Sequence, residues 1–466
     1  MSTRIVVIGG VAAGMSAASQ AKRRDQSADV IMLERGPHIS YSACGMPYNI
    51  GAPARAIEDL VIVDAATARA ERGVDVRTRH EVLGLDLAAQ RLKVRALEGG
   101  GEENLAWDRL VIATGASATR PPLPGLDLPG VFVLRELSDG AAIKRHLAAR
   151  PVRSAVVIGA GYIGLEMADA LRGLSVEVTV LEKLPQVLPG WAKPISDEAR
   201  AEVLRQGARV ETGISVLGVE RNGEQLCVRT DRGEFTAGLV LVSTGVRPNV
   251  SLAKAAGIAL GESGAIATDD HLRTSAPGVF SAGDCAEAYH RVTGRPVWIP
   301  LGTTANKQGK VAGANAAGAD ERFAGIVGTA GFKLFLQEVA RTGIDADEAA
   351  RLGLDAITAV SHHHTRGKNY PGDRPVITSV TAERGSGRLL GAQMIGADAI
   401  GKRIDVFATA LTARMTVAEV EDLDLSYAPP FAPVYDPILI AATVARKAAE
   451  RPSPEGQVPP PQARQR

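Results

Sequence analysis

The sequence predicts an α/β protein with two βαβ units, and three observations support this prediction. An apolar run followed by a glycine-rich turn occurs twice, at 4–14 and again at 155–166. In both places the next apolar run ends in a glutamate, Glu34 or Glu182. The chain has 466 residues, 45% of them apolar, which is enough for more than one core. We therefore expect two Rossmann-like domains.

The first glycine turn, in RIVVIGGVAAG, lies between a predicted strand and a predicted helix. Small residues in such a turn allow backbone N–H groups at the helix N-terminus to face a pyrophosphate. Gly9 and Gly14 occupy the first and third glycine positions of the dinucleotide fingerprint, and Val11 stands at the second. Glu34 follows about twenty residues later, where an acid accepts hydrogen bonds from ribose hydroxyls. The first unit is therefore expected to hold an adenine dinucleotide.

The second glycine turn, in AVVIGAGYIGLE, has all three glycines, Gly159, Gly161 and Gly164. Glu182 ends the following apolar run. A carboxylate at this position repels a ribose 2′-phosphate, so NADH is expected to be preferred over NADPH. NADPH remains possible because Lys183 lies beside the acid.

Two dinucleotide sites in one chain indicate electron transfer between a tightly held flavin and a nicotinamide. Two further apolar runs end in Thr-Gly, one at Thr114 and Gly115 and one at Gly245. We interpret both segments as crossings between domains, close to a cofactor.

The composition argues against several other classes of protein. Lys and Arg total 53 against 52 Asp and Glu, and no basic tract indicates nucleic-acid binding. No apolar run approaches the roughly 20 residues of a membrane-spanning helix, and no secretory leader opens the chain. We therefore expect a cytoplasmic protein without nucleic-acid or membrane partners. Residues 451–466, rich in proline and polar residues, are expected to be disordered.

Together with GVFSAGDCAE at 278–287, these segments resemble the flavin-dependent pyridine nucleotide–disulfide reductase superfamily. Its single-cysteine branch contains coenzyme A-disulfide reductases, NADH oxidases, NADH peroxidases and persulfide reductases. Four segments resemble that branch: ISYSACGMPYNIG, PLGTTANKQGKVAG, EVARTG and DLSYAPPFAPVYDP. The resemblance covers about residues 4–450 and implies a homodimer. It implies three domains: FAD-binding at 1–113 and 246–320, NAD(P)H-binding at 114–245, and an α+β dimerisation domain at 321–450.

The resemblance also assigns the cofactor contacts. Gly9, Gly14 and Glu34 match residues that bind the ADP half of FAD, and Asp284 matches a partner of its ribityl-pyrophosphate region. Glu166 matches a family acid near the nicotinamide and the flavin. An ordinary first-turn acid that complements the helix dipole is the alternative interpretation of Glu166.

Cys44 matches the redox cysteine of the family. CGMPYNIG offers no second cysteine, so Cys44 must cycle alone with a substrate thiol, a persulfide sulfur or a sulfenic oxygen. Attack on a disulfide requires an ionised and accessible thiol, and the small residues around Cys44 permit access. A buried filler is the alternative for Cys44. Cys227 and Cys285 are interpreted as packing residues.

Five further residues match family positions at the substrate. Tyr427 and Tyr370 match tyrosines that reach the active site from the partner subunit, or are alternatively interface aromatics. Gln20, Arg23 and Ser40 match residues that contact coenzyme A, although Arg23 also suits a solvated helix face. Consecutive histidines 362–364 are expected to alternate between the faces of a strand, so no metal site is predicted.

The resemblance implies an FAD-dependent NAD(P)H:disulfide oxidoreductase. Hydride would pass from NADH to FAD, and two electrons would then reach a Cys44 mixed disulfide, reducing coenzyme A disulfide or a coenzyme A persulfide. Ala12 stands where peroxidases and water-forming oxidases of the branch have a histidine. An NADH oxidase that reduces oxygen at the flavin and Cys44 remains the alternative enzyme. A flavin redox sensor is the non-enzymatic alternative.

Overall fold

The computed structural model describes residues 2–367 and 369–451. These residues form two compact units. The first unit consists of the chain up to Pro189, Ala199–Ile326 and Lys333–Phe335. The second consists of Gly190–Glu198, Val327–Phe332 and the chain from Leu336 onward. The segment 451–466, predicted to be disordered, lies outside the described residues except for Arg451.

The strands in chain order are β1 (Arg4–Ile8), β2 (Asp29–Glu34), β3 (Asp75–Thr78), β4 (His80–Asp86), β5 (Arg91–Ala96), β6 (Glu102–Ala106), β7 (Arg109–Ile112), β8 (Ala116–Ala118), β9 (Val131–Phe132), β10 (Ser154–Ile158), β11 (Glu177–Glu182), β12 (Arg209–Thr212), β13 (Val216–Asn222), β14 (Gln225–Thr230), β15 (Gly233–Ala237), β16 (Leu239–Val242), β17 (Val246–Pro248), β18 (Val279–Ser281), β19 (Ala288–His290), β20 (Arg295–Val297), β21 (Ala330–Leu334), β22 (Gln337–Gly343), β23 (Ala356–His364), β24 (Pro375–Glu383) and β25 (Leu389–Gly396). The α-helices are α1 (Ala12–Arg24), α2 (Met46–Ile50), α3 (Ala65–Arg72), α4 (Leu137–Ala149), α5 (Tyr162–Gly173), α6 (Lys193–Arg205), α7 (Ser251–Ala255), α8 (Gly302–Ala316), α9 (Ala346–Arg351), α10 (Ile400–Ala413), α11 (Val417–Glu421) and α12 (Pro437–Ala449).

A five-stranded parallel sheet forms the first dinucleotide-binding fold of the first unit. Its strand order is β18-β7-β1-β2-β3. The central strand β1 has the sequence RIVVI and buries its last four residues, as expected for a strand covered on both faces. Ala17 of α1 and Ala312 of α8 are fully buried and belong to the same apolar core as Val7 of β1. The turn between β1 and α1 therefore begins a helix that packs directly on the sheet.

A second parallel sheet repeats this arrangement. Its order is β12-β11-β10-β16-β9, with the apolar strand SAVVI of β10 at the centre. Helix α5 follows β10 after the second glycine turn, as α1 follows β1. The two halves of the first unit are thus two copies of one βαβ design.

Smaller antiparallel sheets complete the two cores. Sheet β4-β5-β6 packs Leu92 into one core with Val6, and sheet β13-β14-β15 packs Leu226 into another with Val156. Strands β8 and β17 pair antiparallel where the chain crosses between the two parallel sheets.

A sheet of order β21-β22-β25-β24-β23 lies in the second unit, except for Lys333 and Leu334 of β21, which belong to the first. Neighbours from β22 through β23 are antiparallel, and every residue of β25 is buried. Helix α12 packs on β23 and β24, while α10 packs on β22 and β25 with Phe407 fully buried. This helix-covered antiparallel sheet is the α+β part of the fold.

These elements confirm the predicted α/β class with two Rossmann-like sheets. The boundaries predicted for the three domains stay a prediction. Among the helices of the described residues, none is both long enough and apolar enough to cross a membrane.

Arg403 and Asp436 form a buried ion pair in the second unit. Nε of Arg403 lies 3.0 Å from Oδ2 of Asp436, and the side chains are 6% and 11% exposed. Nη2 of Arg403 donates to the carbonyl of Thr365 at 3.0 Å, and Oδ1 of Asp436 accepts the N–H of Ile438 at 2.9 Å. The pair therefore joins α10, the segment after β23 and the start of α12.

We expect Arg403→Met to destabilise the protein by about 3–5 kcal/mol, because it leaves the Asp436 carboxylate buried without a counter-ion. The measurement is urea unfolding at fixed protein concentration. Lys402→Met is the matched control, since the neighbouring Lys402 is 87% exposed and its ion pair with Asp405 is solvated. An Arg403 variant no less stable than the Lys402 variant would contradict the prediction.

Candidate active site

The first glycine turn brings two stretches of backbone into direct contact. Gly9 has a φ of +102°, and a Cβ added there would lie 2.2 Å from the carbonyl oxygen of Ala113. A Cβ on Gly14 would lie 1.8 Å from the carbonyl oxygen of Gly9. Both distances are far inside van der Waals contact, so the backbone itself requires glycine at both positions.

Glu34 ties this turn to the end of β2. Its Oε2 accepts the N–H of Gly10 at 2.7 Å, and its Oε1 accepts the N–H of Gly36 at 2.6 Å. Burial raises the pKa of Glu34, and the two hydrogen bonds oppose that rise. A carboxylate has about four lone-pair sites, so it retains capacity for ribose hydroxyls.

Glu182 makes the equivalent contacts at the second glycine turn. Its Oε2 accepts the N–H of Ala160 at 2.8 Å, and its Oε1 accepts the N–H of Leu184 at 2.9 Å. Gly159 has a φ of +104°, and a Cβ on Gly164 would lie 2.1 Å from its carbonyl oxygen. The second turn thus reproduces the first in detail.

The two Thr-Gly segments lie together at the crossing. Oγ1 of Thr114 donates to the carbonyl of Asn249 at 2.7 Å, and the N–H of Asn249 donates to the carbonyl of Gly115 at 2.9 Å. The carbonyl of Gly245 accepts the N–H of Thr119 at 2.9 Å. The two Thr-Gly segments interpreted as crossings thus lie side by side, although this pairing was not predicted, and their closeness to a cofactor stays a prediction.

The N-termini of α1 and α5 are suited to bind the phosphates of a dinucleotide. Neither helix receives a side-chain cap from a described residue, and their first turns contain no acid. Several other helices are capped by side chains, among them those of Asp64, Asp345, Thr416 and Asp436. Backbone N–H groups at the starts of α1 and α5 therefore suit an anion. With the glycine turns and Glu34 and Glu182, this donor set fits FAD at the first turn and NAD(P)H at the second.

Cys44 lies in a 3₁₀ turn, Ala43–Gly45, directly before α2. It is exposed and unpaired, whereas Cys227 and Cys285 are buried. A Cβ on Gly45 would lie 2.8 Å from Cδ2 of Leu60, so the turn packs tightly against Leu60 at this position. The expected access to Cys44 is present in the structure.

Glu166 and Tyr48 form a hydrogen-bonded pair. Oη of Tyr48 donates to Oε1 of Glu166 at 2.7 Å. Burial raises the pKa of Glu166 to about 7, the Tyr48 hydrogen bond opposes the rise, and the Asp169 carboxylate adds to it. Sequence reasoning missed Tyr48, although it lies four residues after Cys44 in the same quoted motif.

Asp284 is paired with Arg135, which sequence reasoning also missed. Nη2 of Arg135 lies 2.6 Å from Oδ2 of Asp284, and its Nε donates to the carbonyl of Ala116 at 2.8 Å. Although Cys44 is exposed at the surface, desolvation by the surrounding protein raises the pKa of its thiol, Glu166 raises it further, and Arg135 lowers it. No local pattern in the sequence marks Arg135, because its partner is 149 residues away.

Lys144 of α4 holds the segment that follows Cys44. Its Nζ donates to the carbonyls of Asn49, Ala52 and Arg55 and to Oδ1 of Asn49, over 2.7–3.1 Å. Burial lowers the pKa of Lys144. Since Arg135 lies two residues before the start of α4, this helix links the segment after Cys44 to the Asp284 segment.

Of the residues predicted to contact coenzyme A, Ser40 lies beside the first glycine turn, and Gln20 and Arg23 lie in the second half of the helix that follows it. Gln20 and Arg23 are one helical turn apart on α1, Gln20 half-buried and Arg23 exposed. Ser40 donates its N–H to the carbonyl of Gly10 at 2.9 Å. The coenzyme A contacts stay a prediction.

Tyr370 and Tyr427 lie in the second unit and are 36% and 53% exposed. Their predicted role involves a partner subunit and stays a prediction. The histidines 362–364 end β23, where Nδ1 of His364 lies 2.5 Å from Oδ2 of Asp373. Within the described parts of the chain, no cluster of three or more His, Cys, Asp or Glu is suited to a metal ion.

The chain belongs to the pyridine nucleotide-disulphide oxidoreductase family. The family model matches residues 3–309, and the model of the family's dimerisation domain matches residues 329–437. The chain is therefore an oxidoreductase of a class that uses FAD and NAD(P)H, and its C-terminal α+β part is a dimerisation domain.

Relatives whose names describe different activities match nearly the whole chain. An "NAD(P)H coenzyme A polysulfide/persulfide reductase" of Pyrococcus horikoshii is 38% identical over 445 residues, covering 95% of this chain and 98% of the relative. An "NADH oxidase" of Methanocaldococcus jannaschii is 31% identical, covering 95% and 99%. Among solved structures, an NAD-dependent persulfide reductase from A. fulgidus aligns with a TM-score of 0.92 and 36% identity, covering 96% of this chain and 83% of that one.

We expect Gly161→Ala to weaken NADH binding at least about threefold while leaving flavin content unchanged. Gly161 has a φ of −73°, and its added Cβ meets no described atom within 4 Å, so the protein itself tolerates it. A methyl group beside the helix N-terminus would instead obstruct the pyrophosphate of NADH. The measurement is the NADH dependence of flavin reduction.

Gly173→Ala is the control, because it adds the same methyl to the exposed end of α5, also without a described contact within 4 Å. Equal NADH affinity in the two variants would contradict the assignment of the second turn to NADH.

Proposed function

We propose that this protein is an NADH-dependent reductase of coenzyme A disulfide or a coenzyme A persulfide, acting through Cys44. The observation that carries the proposal is the exposed thiol of Cys44, whose pKa is raised by burial and by Glu166 and lowered by Arg135. The names of the relatives support the substrate class, since one reduces coenzyme A polysulfides and persulfides.

Cys44 would act as the nucleophile. Its thiolate attacks one sulfur of the substrate, a bond forms between that sulfur and Sγ, the substrate S–S bond breaks, and a thiolate leaves and takes up a proton. FAD, when bound, would supply the two-electron chemistry that connects NADH with the sulfur of Cys44. Arg135 favours the ionised sulfur by charge, and Lys144 holds the segment that follows Cys44.

The nucleotides are assigned by the two glycine turns. Gly9, Gly14, Glu34 and Asp284 would hold FAD, with the FAD domain at 1–113 and 246–320. Gly159, Gly161, Gly164 and Glu182 would hold NADH in the domain at 114–245. Glu182 supports NADH over NADPH, because a buried carboxylate disfavours a ribose phosphate beside it.

Coenzyme A would lie along α1 and the segment at Ser40. The exposed guanidinium of Arg23 suits a phosphorylated ligand, and Gln20 on the same face adds a neutral donor and acceptor. In a homodimer formed by residues 321–450, the partner subunit's Tyr427 and the partner subunit's Tyr370 would protonate or hydrogen-bond the departing thiolate.

NADH oxidation by oxygen is the second candidate, favoured by the NADH oxidase among the relatives. In that reaction Cys44 would cycle as a sulfenic acid or only adjust the flavin. Ala12 weighs against it, since no histidine stands in the first glycine turn to assist peroxide chemistry.

We expect Cys44→Ser to lower turnover of coenzyme A disulfide at least about a hundredfold, because a hydroxyl cannot form the mixed disulfide. Flavin reduction by NADH should persist, since the nucleotide sites are separate from the thiol. Anaerobic stopped-flow reduction and steady-state turnover measure the two properties.

Cys227→Ser is the matched control, because Cys227 is buried in β14 outside the site. A Cys44 variant that retained disulfide turnover would refute the proposal. Absence of disulfide turnover in the unaltered protein, with rapid reoxidation by air, would favour the oxidase.

Subunit complementation tests the tyrosines. We expect Cys44→Ser and the double variant Tyr370→Phe/Tyr427→Phe each to be slow, the latter by about a hundredfold. Heterodimers made from the two should recover turnover, because one active site then combines an intact Cys44 with the partner's intact tyrosines. Heterodimers as slow as both parents would show that the tyrosines do not act across the subunits.

A further inference from the structure

A small polar network joins three elements next to Cys44. Tyr48 of α2 donates its phenol hydrogen to Oε1 of Glu166 on α5 at 2.7 Å, and the N–H of Lys333 donates to the phenol oxygen at 3.4 Å. The phenol is therefore oriented from both sides. Tyr48 lies one helical turn after Cys44, so this network extends directly from the reactive segment.

Asp169 completes the network one turn along α5 from Glu166. Its Oδ2 accepts from Nζ of Lys333 at 2.8 Å and from the N–H of Phe335 at 3.0 Å. Lys333 thus contacts Asp169 with its side chain and Tyr48 with its backbone, which fixes the spacing of the two groups around Glu166.

We propose that Tyr48 is a positioning residue for Glu166: its hydrogen bond holds the carboxyl group in one orientation beside the Cys44 segment, and the Glu166 carboxylate held there limits the reactivity of Cys44. The inference rests on the proposed role of Cys44, although it concerns the thiol before any substrate arrives. It adds a residue that neither the sequence motifs nor the names of the relatives assign.

The electrostatics give the direction of this control. The pKa of Glu166, raised to about 7 chiefly by burial, is held down by the Tyr48 hydrogen bond and pushed up by Asp169. Above that pH the Glu166 carboxylate raises the pKa of Cys44, and below it the effect is absent. Burial and Glu166 raise the pKa of Tyr48, so its phenol stays a donor throughout the neutral range.

Other charged or titratable groups act on Cys44 and Glu166, and they are the same in the unaltered protein and in the Tyr48 and Glu166 variants. Arg135 lowers the pKa of Cys44, and Asp284 raises it. Burial raises the pKa of Tyr162 on α5, and Cys44 and Glu166 add to that rise. Lys333 neutralises part of the Asp169 charge. None of these groups is altered in the variants that test Tyr48 and Glu166.

The test is the rate of Cys44 alkylation by iodoacetamide in the reduced holoenzyme between pH 6 and pH 9.5, with the modified residue located by mass spectrometry. Removing the phenol in Tyr48→Phe raises the pKa of Glu166, so fewer molecules carry the opposing charge. For changes of about one pKa unit, alkylation at pH 7.5 becomes about two- to threefold faster and returns to the unaltered rate near pH 9.5.

Two further variants give distinct expected patterns. Glu166→Gln accelerates alkylation up to about tenfold, and this effect persists at high pH because the charge is gone. Asp169→Asn lowers the pKa of Glu166 and slows alkylation near pH 6.5–7. Tyr289→Phe is the matched control, an exposed phenol of β19 in the same unit, and leaves the profile unchanged.

A Tyr48 variant with the same profile as the Tyr289 variant overturns the inference. Acceleration by Tyr48→Phe that persists at pH 9.5 also overturns it, because general loosening of the site would act at every pH. If Tyr48→Phe loses its flavin, an unchanged profile in Glu166→Gln still overturns the coupling. Since alkylation needs no NADH or disulfide, a failure here is distinct from a failure of disulfide turnover.

Discussion

A glutamate at the end of a parallel strand, hydrogen-bonded to the backbone of the preceding glycine turn, underlies both dinucleotide-binding folds. Glu34 and Glu182 each bond one N–H within the turn and one N–H just beyond their own strand. These bonds fix the conformation of the glycine turn. That conformation determines where the following helix begins. A turn already fixed in this way loses little conformational entropy when a nucleotide binds. The remaining architecture brings these two preorganised turns into one unit.

The surroundings of Cys44 combine opposing charges. Carboxylates at Glu166 and Asp284 disfavour the thiolate, and the guanidinium of Arg135 favours it. Because Arg135 is already paired with Asp284, its effect on the sulfur depends on that carboxylate. The reactivity of the thiol is therefore a balance among residues from four separate segments, and a small change in any one of them shifts it.

The sequence was most informative where chemistry depends on local spacing. Gly9, Gly14 and Glu34 were predictable because the turn, the helix start and the acid follow one another within a single βαβ unit. Tyr48 could have been found from the sequence, since its spacing of four residues from Cys44 places it next to the thiol segment. Arg135 and Lys144 could not have been found from the sequence, because their partners lie 149 and 89–95 residues away and only the fold brings them together.

The exposure of a solitary thiol has a chemical cost under oxidising conditions. A sulfenic acid at Cys44 has no accessible cysteine among the described residues with which to condense, since Cys227 and Cys285 are buried. Without a resolving thiol, further peroxide would carry the sulfur to the sulfinic state, which is irreversible for most proteins. A small thiol from solution, attached to Cys44 as a disulfide, blocks that route. Keeping the sulfur of Cys44 in a reducible state under repeated oxidation would thus depend on the local supply of low-molecular-weight thiols.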